Sequence, residues 1–263
     1  MQVSSPTWET QLGRVSLSLE DGIATITLDN PASHNAVDEP MRAGLAEAYA
    51  AIEADERVRV AIIRGSEDGS FCSGGSIDGY LETNAFGPEG SGPPKIPRPY
   101  PSRKPYIAAI TGYALGGGFS LAISCDLRIA GRHAQMGPTG LRLGAVQGAQ
   151  TISRLTRLIG ASRALGILLL SQRVGAEEAE RIGLVHAVAE EGAVFETALS
   201  WAGAIARFDP WAVQKTKQLV YEAQHLPLAE AVAWEDEVAA EGYRRPEALA
   251  GFLAFKTRRR QGP

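Results

Sequence analysis

The stretch Lys104–Ala130, KPYIAAITGYALGGGFSLAISCDLRIA, decides the fold of this 263-residue chain. Its apolar run Tyr106–Ile110 stops at Thr111, which is typical of a short strand that is buried on both faces. The glycines Gly116–Gly118 then precede a helix predicted over Phe119–Cys125. Because glycine has no side chain, a ligand can approach bare N–H groups at the positive end of that helix. The stretch therefore predicts either tight packing of the helix on the strand or a site for an anion or oxyanion.

A second strand followed by glycines favours the site. Val58–Arg64 (VRVAIIR) is another apolar run, and a polar turn connects it to Phe71–Ser76 (FCSGGS). Two glycine loops that each follow a strand can face one another and direct N–H groups at one ligand atom. A third segment lies upstream, with Asn30-Pro31 and His34–Val37 (HNAV).

In this order, the three segments resemble the crotonase, or enoyl-CoA hydratase/isomerase, superfamily over about Ser16–Phe255. The resemblance implies a crotonase-like α/β fold with a layered β-sheet core flanked by helices, over residues 1–195. It implies a helical carboxy-terminal trimerisation region over 196–263. It also implies that the backbone N–H groups of Gly75 and Gly117 form an oxyanion hole for the thioester carbonyl of an acyl-CoA. Coenzyme A is then part of the substrate, and no cofactor is expected.

The resemblance also carries over positions that contact the substrate. Hydratases of the family place one glutamate in the first turn of the central helix and a second in the loop that follows it, where this chain has Ser120 and Gly140. Some other branches carry an aspartate slightly later, where this chain has Gln147. None of the three residues can replace a carboxylate in proton transfer, so we expect a non-standard acid/base apparatus and weak hydration of crotonyl-CoA. The other predicted substrate-binding residues are His34, Ala36, Ser73, Ser76 and Lys256.

Two functions of different classes stay open at this stage. The first is an enzyme of the hydratase/isomerase type that processes acyl-CoA thioesters with other acid/base groups. Asp78, Tyr80 and Glu82 follow the first glycine loop closely enough to supply such groups, unless they are solvated or capping side chains. The second is a catalytically idle member of the family that binds acyl-CoA.

Composition excludes several other classes. A net charge of −4 with 21% charged residues provides no field for nucleic acid or for an anionic membrane. No apolar run approaches the roughly 20 residues that span a bilayer. The two cysteines lie in or beside apolar segments, and with the four histidines they form no metal-ligand spacing. We expect a cytoplasmic protein without a metal, and the resemblance adds a homotrimer or hexamer as its assembly.

Local patterns predict the other elements. Val15–Glu20 and Ile23–Leu28 alternate around Asp21-Gly22, which predicts an antiparallel hairpin, and Asp38 is a candidate cap for a helix that ends near Ala54. Met1–Leu12 is expected to be a loose lead-in. The proline- and glycine-rich stretch Asn84–Arg103 predicts a loop, either a surface insertion or a lid over the pocket. Further predicted elements are a strand at Leu127–Ala130 and helices at Gln147–Ile159, Ser162–Leu170, Val194–Arg207, Pro210–Ala223, Leu228–Glu241 and Pro246–Thr257.

Overall fold

The computed structural model describes residues 8–12, 14–66, 69–83, 85–90 and 92–260. The strands are β1 (Trp8–Leu12), β2 (Val15–Glu20), β3 (Ile23–Leu28), β4 (Val60–Gly65), β5 (Tyr106–Ile110), β6 (Tyr113–Leu115), β7 (Leu127–Gly131), β8 (Gln135–Gly137), β9 (Val174–Gly175) and β10 (Ala187–Ala189). The α-helices are α1 (Glu39–Ala54), α2 (Ile77–Leu81), α3 (Gly117–Ser124), α4 (Thr151–Ile159), α5 (Ala161–Leu169), α6 (Ala176–Arg181), α7 (Val194–Ala206), α8 (Pro210–Glu222), α9 (Leu228–Arg244) and α10 (Pro246–Arg260).

The core is a mixed sheet of seven strands in the order β1-β2-β3-β4-β5-β7-β10. The pairs β1–β2 and β2–β3 are antiparallel, and the remaining pairs are parallel. A smaller sheet contains β6, β8 and β9. The predicted α/β class, with a sheet core, flanking helices and a helical carboxy-terminal region, is confirmed.

The amino-terminal strands confirm one prediction and correct another. β2 and β3 form the predicted hairpin, and its turn residue Gly22 has a φ of +79°, which suits glycine. The predicted lead-in is wrong over Trp8–Leu12, which pairs with β2 from Leu19 back to Val15. Pairing with a neighbouring strand, rather than a pattern of its own, makes this segment a strand. Residues 1–7 of the predicted lead-in lie outside the described residues.

Helix α1 has the predicted bounds because its first turn is capped. The Asp38 carboxylate accepts a hydrogen bond from the Met41 N–H at 3.0 Å. Met41 and Leu45 are fully buried within the core that this helix shares with the sheet. At the other end, the Lys104 ammonium donates to the carbonyl oxygens of Ile52 and Asp55. Such bonds satisfy carbonyl groups that the end of a helix leaves open.

The central stretch forms β5, β6 and α3 in succession. All five residues of β5 are buried, as the apolar run predicts. α3 begins at Gly117, two residues before the predicted start, because the glycines themselves form its first turn. α4 begins at Thr151 rather than at the predicted Gln147, because Ala149 and Gln150 have left-handed φ angles of 59° and 66°.

The chain divides into two compact units, one up to Ile205 and one from Ala206. The second unit contains α8, α9 and α10, and within it the Arg245 guanidinium lies 4.7 Å from the centre of the Trp211 ring. The assignment of residues 1–195 and 196–263 as the domains stays a prediction. Within the described ranges, no helix is both long and apolar enough to cross a bilayer.

Candidate active site

Backbone pairing holds the two glycine loops beside each other. The segment before the first loop pairs with β6, since the Cys72 N–H donates to the Tyr113 carbonyl at 2.8 Å and the Leu115 N–H donates to the Cys72 carbonyl at 2.9 Å. The chain then turns at Gly74 with a φ of +115° and at Gly116 with a φ of +52°, both in the region that favours glycine. The two turns therefore occur at adjacent points of the fold.

At these turns the bare backbones of the two loops nearly touch. A Cβ atom added to Gly74 would lie 3.2 Å from the Gly117 nitrogen, and one added to Gly117 would lie 3.6 Å from the Gly75 nitrogen. Among the described residues, neither the Gly75 N–H nor the Gly117 N–H donates a hydrogen bond. Gly117 is in the first turn of α3, where N–H groups have no partner within the helix. Two open donors thus lie next to each other at the positive end of a helix.

The upstream segment with the HNAV motif supports the first loop. The Val37 N–H donates to the Gly74 carbonyl at 2.7 Å, and the Ser76 N–H donates to the Val37 carbonyl at 2.9 Å. The buried Asn35 side chain donates to the Ser70 carbonyl and accepts from the Asn30 N–H, each at 2.6 Å. These bonds fix both sides of Gly75.

The predicted substrate-binding residues near this loop lie around it in different roles. The exposed His34 ring has Nδ1 3.2 Å from the Ser70 hydroxyl oxygen. The Ser73 hydroxyl donates to the Ser33 carbonyl at 3.0 Å, and Ala36 is half-buried. The Ser76 hydroxyl oxygen accepts from the Gly79 N–H at 3.2 Å, so it caps α2. Ser73 and Ser76 therefore shape the loop through backbone contacts.

Ser120 is buried in α3, and its hydroxyl makes two hydrogen bonds. Its side chain is 1% exposed, donates to the Gly116 carbonyl at 3.1 Å, and shares a hydrogen bond of 2.5 Å with the Thr151 hydroxyl. A Cβ atom on Gly116 would lie 2.6 Å from the hydroxyl oxygen of Thr139, which precedes Gly140 in sequence. The structure thus brings Ser120 and Thr139 next to the same glycine, Gly116.

Gly140 and Gln147 contact each other directly. The Gln147 side-chain oxygen accepts from the N–H groups of Thr139 and Gly140, at 3.1 and 2.9 Å. A Cβ atom on Gly140 would lie 2.8 Å from both the Ala145 carbonyl oxygen and the Gln147 nitrogen. Any side chain at position 140 therefore requires the loop to shift. Lys256 belongs to the other unit, where it is an exposed residue of α10.

Two further side chains contact the glycine pair. The Tyr80 hydroxyl occupies the position that a Cβ atom on Gly75 would take, and the Cδ1 atom of Ile96 lies close enough to Gly117 to overlap a Cβ atom added there. Tyr80 was one of three candidates for an acid/base group, whereas the other two, Asp78 and Glu82, are exposed. Ile96 was not predicted, although it is the only aliphatic residue of the segment PPKIP.

Ile96 shows that the proline-rich stretch packs on the protein. Its side chain is 6% exposed, and the stretch has neither helix nor strand in its described residues. Farther along, the Arg98 guanidinium donates to the Ala149 carbonyl at 2.6 Å, and the Ser102 hydroxyl donates to the Glu53 carboxylate at 2.6 Å. We call residues 92–103 the strap. The predicted loop is confirmed, and the strap lies against the second glycine loop.

Burial raises the pKa of two weakly acidic groups near the glycine pair, the Tyr80 phenol and the Cys72 thiol. Burial raises the pKa of the Tyr80 phenol, an effect that the nearby Arg42 charge opposes. Burial also raises the pKa of the Cys72 thiol to about 12, so this cysteine is not a thiolate nucleophile at neutral pH. In the part of the chain that the structure describes, no group of three or more potential metal ligands occurs.

Comparisons with known proteins agree with this geometry. The sequence model of the family "Enoyl-CoA hydratase/isomerase" matches residues 18–262. The chain is 34% identical over 248 residues to an (E)-benzylidenesuccinyl-CoA hydratase of Thauera aromatica, covering 93% of this chain and 96% of the relative. It is 32% identical over 256 residues to a short-chain-enoyl-CoA hydratase of Clostridium acetobutylicum, covering 95% and 97%.

Solved structures show the same relationship. The crystal structure of an enoyl-CoA hydratase from Mycobacterium tuberculosis H37Rv superposes with a TM-score of 0.84 and 31% identity, and the match covers 94% of this chain and 96% of that one. The fold is therefore the α/β fold of enoyl-CoA hydratases. The chain belongs to the enoyl-CoA hydratase/isomerase family.

Proposed function

We propose that this protein is an enzyme that processes acyl-CoA thioesters and polarises the thioester carbonyl with the backbone N–H groups of Gly75 and Gly117. The observation that supports this most directly is the pair of open N–H donors beside each other at the positive end of α3. Donors that are already oriented stabilise the negative charge that develops on a carbonyl oxygen, and removal of one typically costs about 3 to 4 kcal/mol of transition-state stabilisation. The hydratase names of the relatives support a CoA thioester as the ligand.

The chemistry after this activation is proposed to differ from that of a standard hydratase. Hydration needs one group that activates water and one that protonates the α-carbon. The Ser120 hydroxyl is buried in hydrogen bonds to Gly116 and Thr151, and the direction of a side chain at Gly140 is blocked by backbone atoms. We therefore expect this chain to hydrate crotonyl-CoA poorly and to act on another acyl group. Assembly as a trimer or hexamer stays a prediction from the family, and a cytoplasmic location stays a prediction from the composition.

A mass-spectrometric screen tests this function. Purified protein is incubated with a panel of enoyl-, hydroxyacyl- and ketoacyl-CoAs. Product masses and chromatographic retention times are followed over time, because isomerisation leaves the mass unchanged. We expect turnover of at least one member and only slow hydration of crotonyl-CoA. Binding of acyl-CoAs without turnover of any would instead support an idle binding protein. If no acyl-CoA binds, the proposed function is wrong.

The variant Gly117→Val tests the position of the acyl-CoA site. A valine side chain at 117 would project into the space between the loops, where Ile96 already lies and the Gly75 nitrogen is 3.6 Å away. We expect the variant to fold and to lose acyl-CoA binding. The matched control is Gly192→Val, because a Cβ atom on Gly192 meets no atom within 4 Å; this variant should bind like the wild type.

A further inference from the structure

The position of the Tyr80 side chain beside Gly75 requires an explanation. Tyr80 lies one helical turn after the cap of α2, where its N–H donates to the Ser76 carbonyl at 3.0 Å. This turn directs the half-buried phenol back onto Gly75, so that its hydroxyl oxygen takes the place of a Cβ atom there. The hydroxyl is therefore adjacent to one of the two open N–H donors.

The Tyr80 hydroxyl itself has no hydrogen-bond partner among the described residues, and it is not sealed from solvent. A hydroxyl that packed only for shape would leave its donor unused at a site where two backbone donors are also unused. An ordinary phenol has a pKa of about 10, and burial raises the pKa of Tyr80 further, so the phenol is protonated at neutral pH. It can thus donate a hydrogen bond under physiological conditions.

The position of the Tyr80 hydroxyl also explains why residue 75 is a glycine. Gly75 is not among the glycines with positive φ, so its backbone conformation does not require glycine. An alanine would keep the N–H donor, but its Cβ atom would occupy the place of the Tyr80 hydroxyl and lie 2.8 Å from the ring atom Cε1. Glycine at this position is thus required by the phenol rather than by the turn.

We propose that Tyr80 is a catalytic residue whose hydroxyl donates a third hydrogen bond to the thioester carbonyl oxygen, beside the N–H groups of Gly75 and Gly117. The inference rests on the proposed function, since the oxygen it binds is the one that the two N–H groups polarise. A third donor strengthens as negative charge develops on that oxygen, and no proton has to be transferred. Tyr80 in this role contributes to carbonyl activation and leaves the source of the acid/base groups open.

Infrared difference spectroscopy of bound [1-¹³C]butanoyl-CoA tests the role of Tyr80. This thioester is saturated and cannot be hydrated, and its labelled carbonyl stretch moves to lower frequency as hydrogen bonds to the oxygen strengthen. We compare the wild type with Tyr80→Phe and Gly75→Ala, and we measure the affinity of each by calorimetry. We expect the wild type to lower the carbonyl frequency, both variants to lower it less, and the affinities to stay within about threefold.

The double variant makes the test specific. If Gly75→Ala acts by displacing the Tyr80 hydroxyl, adding Tyr80→Phe to it should change the carbonyl frequency no further, because coupled sites are not additive. On the best substrate of the panel, we expect each single variant to lose about 100-fold in kcat, as for other oxyanion donors. A structural role of Tyr80 would not move the carbonyl frequency.

The outcomes separate the two proposals. If the wild type binds butanoyl-CoA with a lowered carbonyl frequency and Tyr80→Phe binds it with the same frequency, the Tyr80 proposal is wrong and the proposed function stands. If the wild type binds butanoyl-CoA but leaves its carbonyl frequency unchanged, both are wrong. If it binds other acyl-CoAs but not butanoyl-CoA, the same comparison is made with the ¹³C-labelled saturated analogue of the best acyl-CoA of the panel, with the same two readings. Should Tyr80→Phe fail to fold, Gly75→Ala gives the same decision, since an unchanged frequency in that variant also overturns the role of Tyr80.

Discussion

Gly118→Ala should separate the two glycine loops, and the contacts of Gly118 set the size of the effect. A Cβ atom at this position would overlap the Cys72 carbonyl oxygen, lie 2.6 Å from the carbonyl carbon and 2.8 Å from the Cys72 Cβ. The Cys72 backbone cannot move alone without breaking hydrogen bonds, because its carbonyl accepts from the Leu115 N–H and its N–H donates to the Tyr113 carbonyl. The first loop must therefore move as a whole.

Three terms determine the change in the free energy of unfolding of Gly118→Ala. Overpacking of a well-packed site costs about 1 to 3 kcal/mol. Loss of the Leu115–Cys72 hydrogen bond costs about 0.5 to 1.5 kcal/mol. The higher helix propensity of alanine returns about 1 kcal/mol. We expect a net destabilisation of about 0.5 to 3.5 kcal/mol, together with weaker acyl-CoA binding, because the Gly75 N–H moves away from that of Gly117.

The assay is thermal unfolding next to Gly166→Ala. Gly166 is an exposed helical glycine of α5, and a Cβ atom added to it meets no atom within 4 Å. The control should gain about 0.5 to 1 kcal/mol from propensity alone, whereas Gly118→Ala should lower the melting temperature by roughly 1 to 14 °C. Equal melting temperatures for the two variants would refute the close approach of the loops.

Three further predictions concern groups around the site. Burial raises the pKa of Glu53, but hydrogen bonds from Ser102 and Arg103 at the end of the strap outweigh this effect and lower the pKa overall. The ionised carboxylate therefore stabilises the fold fully above the unfolded pKa of about 4.3, and this stabilisation is lost as the pH falls through the lower folded pKa. Glu53→Gln should therefore lower the melting temperature at pH 7, and the difference from the wild type should shrink as the pH falls below about 4. Cys72, with a pKa raised to about 12 by burial, should resist thiol reagents at pH 8 until the protein unfolds, and fast labelling of the native protein would contradict its burial. Lys104→Met leaves carbonyl groups at the end of α1 unpaired and should cost about 1 to 3 kcal/mol, whereas Lys95→Met, at an exposed residue, should cost almost nothing; similar melting temperatures for both would contradict the role of Lys104.

Local patterns in the sequence predict most of the fold. The alternation around Asp21-Gly22 predicts the hairpin, and Asp38 followed by apolar spacing predicts α1, because both signals depend on neighbouring residues. The strand β1 gives no such signal, since its conformation depends on pairing with β2. The start of α4 is also hidden, because left-handed φ angles at Ala149 and Gln150 arise from the surrounding loop.

For the candidate site, the sequence predicts the backbone better than the side chains. Glycines after buried strands predict where bare N–H groups lie, and the structure places Gly75 and Gly117 next to each other. The contacts of Tyr80 and Ile96 with this pair are not predictable, because they join segments that are distant from one another along the chain or separated by a turn. Gln147, predicted to bind the substrate, uses its side chain to hold the Gly140 loop.

The most direct test of the Gly75–Gly117 pair is a calorimetric comparison of butanoyl-CoA with S-butyl-CoA. The two ligands share the nucleotide and the four-carbon chain, but the thioether lacks the carbonyl oxygen. Two hydrogen bonds at about 0.5 to 1.5 kcal/mol each should make the thioester bind roughly 5- to 150-fold more tightly. Equal affinities would contradict the claim that the two N–H groups bind the thioester carbonyl.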